Sequence, residues 1–533
     1  MDQLNASGKA ASDVLGRRQF LRGVAVTGAA AGAGGLLAAC AGSSSPSAAP
    51  AVKSTARKRG GNLKVGLSGG SGTDTLDPHR GLTYLDTARA QSLYQPLLQL
   101  NTQAQTEFVL AESITPTKST SEWIIRLRPG VTFHDGKDLT ADDVIFTFRR
   151  IITSKFSGAD SLGPIDLSGL KALDKHTVRV PMTKPYGSFV DQLAYWYYLY
   201  IVPVGFNPAK PNGTGAFAYQ SFTPGQRSVF TRNPHYWRPG FPYVDTLTII
   251  DFSDNTALQN ALTTGVIDGA GALEGPQLAA LAKSPGVKTI ASHTGAITPF
   301  TMRVDQPPFS DVNVRQALRL LVDRQQLINS ALDGFAVVGN DVFSPYDPDF
   351  NHAVHRPADI GQAKFLLKKA GHENLAVQLT TSAVATGTVA MATVLAQQAK
   401  AAGVTISLKQ VDPSAFFGPN YLHWTFSQDF YNYSPYLAQV AQSMLGSASP
   451  FNETHTNDPH YDSLYQQANA TLSASTRKQI EHEMQSFDFS QGGYIIPAFI
   501  DALDAYSDKI TGYSAAKVGQ PLSDFDFEHF SFV

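Results

Sequence analysis

The sequence predicts an α/β protein with mixed sheets, and three observations carry that reading. Short runs such as Gly61-Asn62-Leu63-Lys64-Val65-Gly66-Leu67 alternate polar and apolar residues, the period of a half-buried strand. Helical runs stop at a glycine and lead directly into strand, as in Ala390 to Ala402, Gly403, then Val404-Thr405-Ile406-Ser407-Leu408. No segment recurs at a fixed period, which excludes solenoids and propellers.

Ahead of that body, Arg17-Arg18-Gln19-Phe20-Leu21-Arg22 precedes an uncharged, Ala/Gly-rich stretch that ends in Leu37-Ala38-Ala39-Cys40. The order is that of a twin-arginine export signal running into a lipobox, with Cys40 as the lipid attachment site. Residues Gly23 to Ala39 are too short and too weakly apolar for a spanning helix, which needs ~20 strongly apolar residues. A basic front and a small-residue finish fit a cleaved signal. One acyl chain binds a membrane marginally and several bind it stably, so the mature chain is expected outside the cytoplasm, anchored to the cell membrane as a lipoprotein. An ordinary secretory signal with a chance cysteine, and Sec export with a chance arginine pair, are the competing readings. Residues 1–39 are thus read as signal peptide and 40–60 as a flexible Ser/Ala/Pro/Lys-rich tether.

The remaining body is long enough for two or three domains with substantial cores. Hydrophobic residues make up 43% and charged residues 16%, so the chain packs and is not a disordered polymer. A net charge of -2 supplies no basic face for nucleic acid. Cys40 is the single cysteine, so no disulfide can form within the chain. No second apolar run reaches membrane length.

Further elements follow in order. Trp123-Ile124-Ile125-Arg126-Leu127 reads as a strand that turns at Pro129-Gly130. Thr140 begins a helix with Asp142 and Asp143 in its first turn, where the macrodipole favours carboxylates. Val144, Ile145, Phe148 and Ile151 give it an apolar face. Asn255 caps a helix that runs through Leu258 and Leu262 and stops at Gly265. Val312 to Val322 and Gln362 to Ala370 are further amphipathic helices, the second closed by Gly371.

Motifs for chemistry are weak. Gly66-Leu67-Ser68-Gly69-Gly70 matches G-x-S-x-G, but a nucleophile elbow must pass from strand straight into helix. Here Ser71-Gly72-Thr73-Asp74-Thr75-Leu76-Asp77-Pro78 follows, a loop sequence, which speaks against catalysis by Ser68. His352 and His355, and His455 and His460, lie in polar loops without a metal-ligand spacing, so no metal and no cofactor is expected. In Phe133-His134-Asp135-Gly136 the Asp-Gly pair is turn chemistry. No catalytic residue is assigned.

Taken together, these segments resemble the extracytoplasmic solute-binding proteins of ATP-driven importers, the oligopeptide/dipeptide/nickel-binding family. The densest likeness is Leu127-Arg128-Pro129-Gly130-Val131-Thr132-Phe133-His134-Asp135-Gly136, continued by Leu139-Thr140-Ala141-Asp142-Asp143-Val144-Ile145-Phe146-Thr147-Phe148. Gly213-Thr214-Gly215-Ala216-Phe217 and Arg232-Asn233-Pro234-His235-Tyr236-Trp237 follow in family order, as does Val314-Arg315-Gln316-Ala317-Leu318. The resemblance implies a two-lobed periplasmic-binding-protein type II-like fold with an extra inserted domain. The first lobe would comprise 61–91, 204–292 and 503–533, the inserted domain 92–203 and the other lobe 293–502. It further implies a monomeric, non-catalytic receptor that closes over an oligopeptide and delivers it to permease and ATPase subunits.

Ligand chemistry is where the chain departs from its relatives. Dipeptide binders of the family hold the ligand ammonium with an aspartate before a proline, but Ser434 precedes Pro435 here and only Asp429 stands nearby. The arginine that clamps a ligand carboxylate has no counterpart in Val389-Ala390-Met391-Ala392. A short zwitterion held at both ends is therefore disfavoured, because a buried charge without a partner is costly. Longer peptides held along the backbone fit better. Aromatic residues cluster in the same region. The resemblance and the side-chain types together nominate Ser71, Gly72, Thr73, Trp424, Phe426, Asp429, Tyr431, Asn432 and Tyr433 as ligand-binding. The run Tyr195-Trp196-Tyr197-Tyr198 is read as packing between lobes, and Gly213 to Gly215 as structure near the hinge. Oligosaccharide or metal-chelate ligands, a secreted hydrolase using Ser68, and a surface sensor without a permease are the alternatives.

Overall fold

The computed structural model describes residues 57–533 apart from 82 and 196; Arg17, Arg18, Cys40 and the tether before residue 57 lie outside the described residues. Three sheets organise the chain. The largest runs in the order 287–297, 498–507, 269–270, 62–68, 246–252, 227–232 and 217–223, and strand 336–338 also pairs with 498–507. Its centre is parallel, Asn62–Ser68 lying beside Thr246–Phe252, and its flanks are antiparallel. A five-stranded sheet runs 405–410, 376–381, 426–428, 300–302 and 494–495. A four-stranded antiparallel sheet, 111–116, 122–127, 177–181 and 171–174, falls between the first strand and the rest of the large sheet in sequence. It has its own core around Trp123, Ile125, Phe148 and Phe189. The fold is thus α/β with mixed sheets and an inserted domain.

Local rules explain most elements. In the first strand Leu63, Val65 and Leu67 are fully buried, while Gly66 lets Leu258 and Phe252 approach where a β-carbon would lie within 3 Å of both. The helix Ala141–Ser154 starts one residue after Thr140, whose amide and hydroxyl both donate to Asp143 Oδ2 at 2.9 and 2.8 Å. The other oxygen of Asp143 accepts from the Val204 amide at 2.9 Å, so one carboxylate caps the helix and fastens the chain as it leaves the inserted domain. The helix over 255–263 is capped by Asp254 and not by Asn255: Asp254 Oδ1 accepts from the Ala257 amide at 2.8 Å. Asp311 and Asp359 likewise cap Val312–Leu320, which starts where the spacing put it, and Ile360–Lys369, which starts two residues before Gln362. The unit of Thr388–Ala399, a tight turn at 400–402, Gly403 in the left-handed region and strand Thr405–Gln410 follows the expected helix-glycine-strand order.

The chain passes from the large to the five-stranded sheet at an irregularity, and returns where Tyr494–Ile495 runs into Ala498–Ser507. Strand Val287–Ile297 pairs with Ala498–Ser507 continuously from Val287↔Ser507 to His293↔Asp501, then resumes at Ile297↔Phe499. Four steps on one strand oppose two on the other, so Thr294-Gly295-Ala296 bulges out. Thr294 Oγ1 donates to the Ile500 carbonyl and receives the Ala296 amide at 2.9 Å, which ties the bulge internally. Beyond it, the Ile297 and Tyr431 amides and carbonyls exchange two hydrogen bonds of 2.8 Å, and Phe300–Met302 enters the five-stranded sheet. The bulge turns one strand from the first sheet to the second.

Gly295 is required there by contact. A β-carbon on it would lie 2.5 Å from Tyr433 Cδ2 and 3.0 Å from two further Tyr433 atoms. Gly295→Ala is expected to lower unfolding free energy by about 1–3 kcal/mol through overpacking. Chemical denaturation of the two proteins checks this, and an unchanged midpoint would show that Tyr433 moves freely.

Candidate ligand cleft

The residues around the bulge come from three parts of the chain. The C-terminal segment Ala516–Gly519 threads between them. Its Lys517 amide donates to the Thr102 carbonyl of the inserted domain at 2.8 Å, and its Lys517 carbonyl accepts from Gly295 at 2.9 Å. The Val518 carbonyl accepts from the Tyr433 amide at 3.1 Å, and Ser292 Oγ accepts from the Ala516 amide at 3.2 Å. Val518, Tyr433 and Ala104 form a small buried cluster against Leu100, Tyr197 and Tyr346. Tyr346 meets Tyr433 edge-on at 5.8 Å and donates to the His293 carbonyl at 3.0 Å. Gly519, with φ of 105°, faces Thr294, Ala296 and Asn432. This three-way seam is where the two large sheets and the inserted domain converge.

Asn432 and Tyr433 sit in the seam. Tyr433 is buried, and burial holds its phenol well above the usual tyrosine range, with Asp347 and Asp191 adding to the effect. It is a neutral hydrogen-bonding ring at any physiological pH. Tyr431 lies one step back: its backbone pairs with Ile297 and its hydroxyl donates toward Glu453 Oε1 at 3.2 Å. Asp429 is fully buried and accepts from Tyr421 Oη at 2.9 Å, with Glu453 beside the same hydroxyl. That places Asp429 in a polar network behind the seam. Phe426 packs in the core between Phe300 and Phe309. Trp424, at the opposite end of strand 426–428 from Asn432, donates to the Phe416 carbonyl at 3.1 Å and borders a separate cavity of about 430 Å³ with Phe309 and Gln378. The aromatic run is therefore split among seam, core and surface.

Ser71, Gly72 and Thr73 form an exposed loop after the first strand. Ser71 Oγ and Thr73 Oγ1 lie 2.7 Å apart, the Ser71 amide donates to Asp74 Oδ1 at 2.9 Å, and the loop rests on the turn at Gly225. Beneath it, Arg89 is wholly buried. It pairs with Asp74 at 3.0 Å, Asp86 at 3.2 Å and Asp251 at 2.6 Å, and its Nε donates to Ser228 Oγ at 2.7 Å. Three carboxylates face one guanidinium. Burial, with the neighbouring Asp74 carboxyl adding to it against the pull of Arg89, pushes Asp251 up to about 7. Ser68 ends its strand, passes to Gly69 with φ of 100°, and donates to Asn255 Oδ1 at 2.7 Å. The next helix starts only at Tyr84, so no nucleophile elbow is formed.

Two acidic groups have geometry near that of a cation site, but their oxygens are engaged. Asp347 accepts from the Asp349 and Tyr436 amides, and Glu528 from Tyr236 and Arg238. His455 contacts the Leu422 carbonyl and Asp305, and His460 contacts Glu483. Thr102, Gly295, Tyr346, Lys517 and Val518 carry the seam without any local motif. Tyr197 joins it as the aromatic run suggested, while Trp196 lies outside the described residues.

The model of the bacterial extracellular solute-binding proteins, family 5, matches residues 106–470. The chain belongs to that family. Among curated relatives, the glutathione-binding protein GsiB of Escherichia coli O6:K15:H31 is 30% identical over 318 residues, 57% of this chain and 61% of its own length. The GsiB of Salmonella typhi is 29% identical over 312 residues, 57% of this chain and 60% of its own. The chain thus spans about three-fifths of the length of the curated relatives it matches. Among solved structures, the substrate-binding protein CtaP of Listeria monocytogenes superimposes with a TM-score of 0.77 at 22% identity, over 89% of this chain and 100% of that one. The oligopeptide-binding protein AppA of Bacillus subtilis, in complex with a nonapeptide, gives 0.70 at 20%, over 90% and 100%. DppA of Helicobacter pylori, in complex with the peptide STSA, gives 0.73 at 19%, over 89% and 98%. These likenesses establish the fold as the two-lobed type II periplasmic-binding-protein arrangement.

The carboxylate cluster under the Ser71 loop has a pH consequence. The folded value of Asp251 lies above its ordinary 3.8, so the folded state holds the proton more tightly. Its contribution to stability is complete at low pH and is lost as pH rises from about 4 to about 7. Buried Asp488 and Asp504, also pushed up to about 7, act in the same sense. Denaturation midpoints measured across that range should fall, and Asp251→Asn should make the fall shallower. An equal slope in the variant would remove Asp251 as a titrating group.

Proposed function

We propose that this family 5 protein is the substrate-binding component of an ATP-driven importer that captures oligopeptides between two lobes and presents them to a membrane permease. The lobes are assigned as 61–91, 204–292 and 503–533 for the first and 293–502 for the second, with 92–203 as the inserted domain. The observation that carries this reading is the seam itself. The bulged strand and the neighbouring run from Tyr494–Ile495 into Ala498–Ser507 link the two large sheets, and Asn432, Tyr433 and the Val518-Gly519 backbone face one another beside the bulge. Bending at the bulge opens and closes that face while each sheet stays intact. The protein performs no covalent chemistry in this role; closure is selected by contacts available only in the shut form.

The seam favours a ligand held through backbone groups and ring surface. Asn432 and Tyr433 supply amide, phenol and aromatic face, and the Ser71-Gly72-Thr73 loop supplies hydroxyls and exposed backbone. Asp429 is engaged with Tyr421 and is set back from the seam, so a ligand ammonium has no carboxylate aimed at it from that position. Extended peptides satisfy such a surface through main-chain hydrogen bonds. The solved relatives with a nonapeptide and with the peptide STSA support the same ligand class. GsiB is named as glutathione-binding, which keeps a short peptide derivative as the nearest competitor within the class. Lipidation at Cys40 after export through the Arg17-Arg18 signal would hold the receptor at the outer face of the cell membrane. Among the described residues, no helix is long and apolar enough to cross a membrane.

Two measurements test the reading. A thermal-shift screen of peptides of graded length, with glutathione, oligosaccharides and nickel-histidine in parallel, should raise the melting temperature most for peptides. Tyr433→Ala should weaken the best of them by about tenfold, ~1.4 kcal/mol. A shift only with sugars or metal chelates, or none with any ligand, would end the oligopeptide assignment. In cells, Cys40→Ala should move the protein from the membrane fraction to the soluble one; unchanged membrane retention would contradict the lipid anchor.

A further inference from the structure

Two neighbouring strands of the five-stranded sheet separate along their length. Strand Ala376–Thr381 pairs with Thr405–Gln410 at every position, and Phe426–Gln428 pairs with Phe300–Met302 at every position. Ala376–Thr381 and Phe426–Gln428 lie side by side in parallel, yet among the described residues their register consists of Thr380↔Ser427 alone. The chain bends at Thr425, so the two strands form a fork, closed at Thr380 and open at Ala376. The cavity of about 430 Å³ beside Trp424 lies between the prongs, with Ala376, Gln378, Thr380 and Phe426 among its walls.

Both prongs direct main-chain groups into the gap. The Thr405 amide donates to the Leu375 carbonyl at 2.8 Å, Ser407 Oγ to the Val377 carbonyl at 3.3 Å and the Val411 amide to the Thr381 carbonyl at 3.0 Å. Odd-numbered residues of this prong therefore face Thr405–Gln410. Main-chain groups alternate in direction along a strand, which turns those of Ala376 and Gln378 to the other side. On the second prong, the Thr425 carbonyl accepts from the Arg303 amide at 3.0 Å and the Pro299 carbonyl from the Asp429 amide at 3.3 Å. Phe426, next along the chain from Thr425, thus faces the fork. Among the described residues, the main-chain groups of Ala376 and Gln378 and the amide of Phe426 have no ladder partner on that side. Ala376 and Gln378 are exposed, so the gap is reached from solvent.

A strand edge with unpaired amides and carbonyls is a template for another extended chain. Here two such edges face one cavity. Phe309 and Phe426 are buried beside it, and Pro308 and Trp424 complete an apolar surface. Trp424 is fixed by its bond to the Phe416 carbonyl at 3.1 Å and by the Lys409 ammonium 5.1 Å from its ring centre. No carboxylate, lysine or arginine is among the described residues that line the cavity.

We propose that the fork is a peptide site distinct from the seam, receiving a short, uncharged, extended segment through main-chain hydrogen bonds to Gln378 and Phe426. Added strands are recognised in this way, the backbone giving affinity and side-chain pockets giving preference. The prong from Ala376 to Thr380 spans roughly 13 Å at ~3.3 Å per residue, which admits about three extended residues. Aliphatic side chains of the segment pack against Phe309 and Trp424. The fork opens at the end of strand Phe426–Gln428 away from Asn432, and none of its lining residues belongs to the seam. The site therefore stands whether or not the seam takes peptides.

Amide hydrogen exchange on the whole mature protein tests it, with acetyl-valyl-threonyl-valine amide as the probe and its backbone N-methylated analogue as the control. At saturation the probe should slow the Gln378 and Phe426 amides by about tenfold, and the analogue should leave them unchanged. The Gly295 and Tyr433 amides report the seam separately, so a change confined to them bears on the cargo and not on the fork. Gln378→Pro removes the amide on the fork side and no existing sheet bond, so it should fold, and it should weaken the probe about tenfold or more, read at Phe426. Gln378→Ala keeps the main chain and should bind as the parent does. Absence of a saturable effect at both amides of the parent, an equal effect of the N-methylated analogue, or equal affinity in Gln378→Pro would overturn the proposal.

Discussion

The three-residue bulge at Thr294-Gly295-Ala296 is the constraint on which the rest of the structure depends. A strand that stayed in register with Ala498–Ser507 would continue the large sheet and could not turn into Phe300–Met302 of the five-stranded sheet. By looping out, it redirects the chain, turns the Gly295 amide to the Lys517 carbonyl and lets the Tyr433 ring pack against Gly295. The Lys517-Val518 backbone then stitches bulge, inserted domain and second sheet with single hydrogen bonds. Single bonds between extended backbones are enough to define a closed form and weak enough to be exchanged for ligand.

Away from this joint, charged side chains fix the parts that must not move. Arg319 is wholly buried and donates to the carbonyls of Asp488, Phe489, Gly492 and Tyr494, which absorbs the unsatisfied end of helix Ala474–Gln491. Asp341 binds Arg324 and Arg356 together while also accepting the Ile496 amide. Asn469 of helix Pro459–Ala470 accepts through its backbone from Thr120 and Gly187 and through its side chain from Ser188, tying that helix to the segments that flank the four-stranded sheet. Arg319 and Asn469 are held largely by backbone groups and Asp341 by two arginines and one amide, so each acts as a rivet.

How far the sequence was legible follows from the range of each interaction. Glycine stops, strand alternation and the Asp143 cap act within a few residues, so Gly403, Leu63-Val65-Leu67 and Thr140 announced their elements. The choice of Asp254 over Asn255 as a cap turns on which side chain reaches the third amide, a difference of one residue that composition does not resolve. The seam was only half visible. Asn432 and Tyr433 stood out through the family resemblance, but Thr102, Gly295 and Val518 are brought to them from far away in the chain and carry no pattern of their own. Residues of one run, Trp424 to Tyr433, go to different surroundings: Phe426 to the core, Trp424 against Phe416, and Asp429 to Tyr421.

The central claim is that two sheets joined through the bulge close on a cargo. Double electron–electron resonance between spin labels at Gln259 and Lys368, in a protein whose lone cysteine is replaced, measures that directly. The account predicts a broad or longer distance distribution in the free protein that collapses to a shorter, narrower one with bound peptide. One narrow distance, identical with and without a ligand that demonstrably binds, would contradict it.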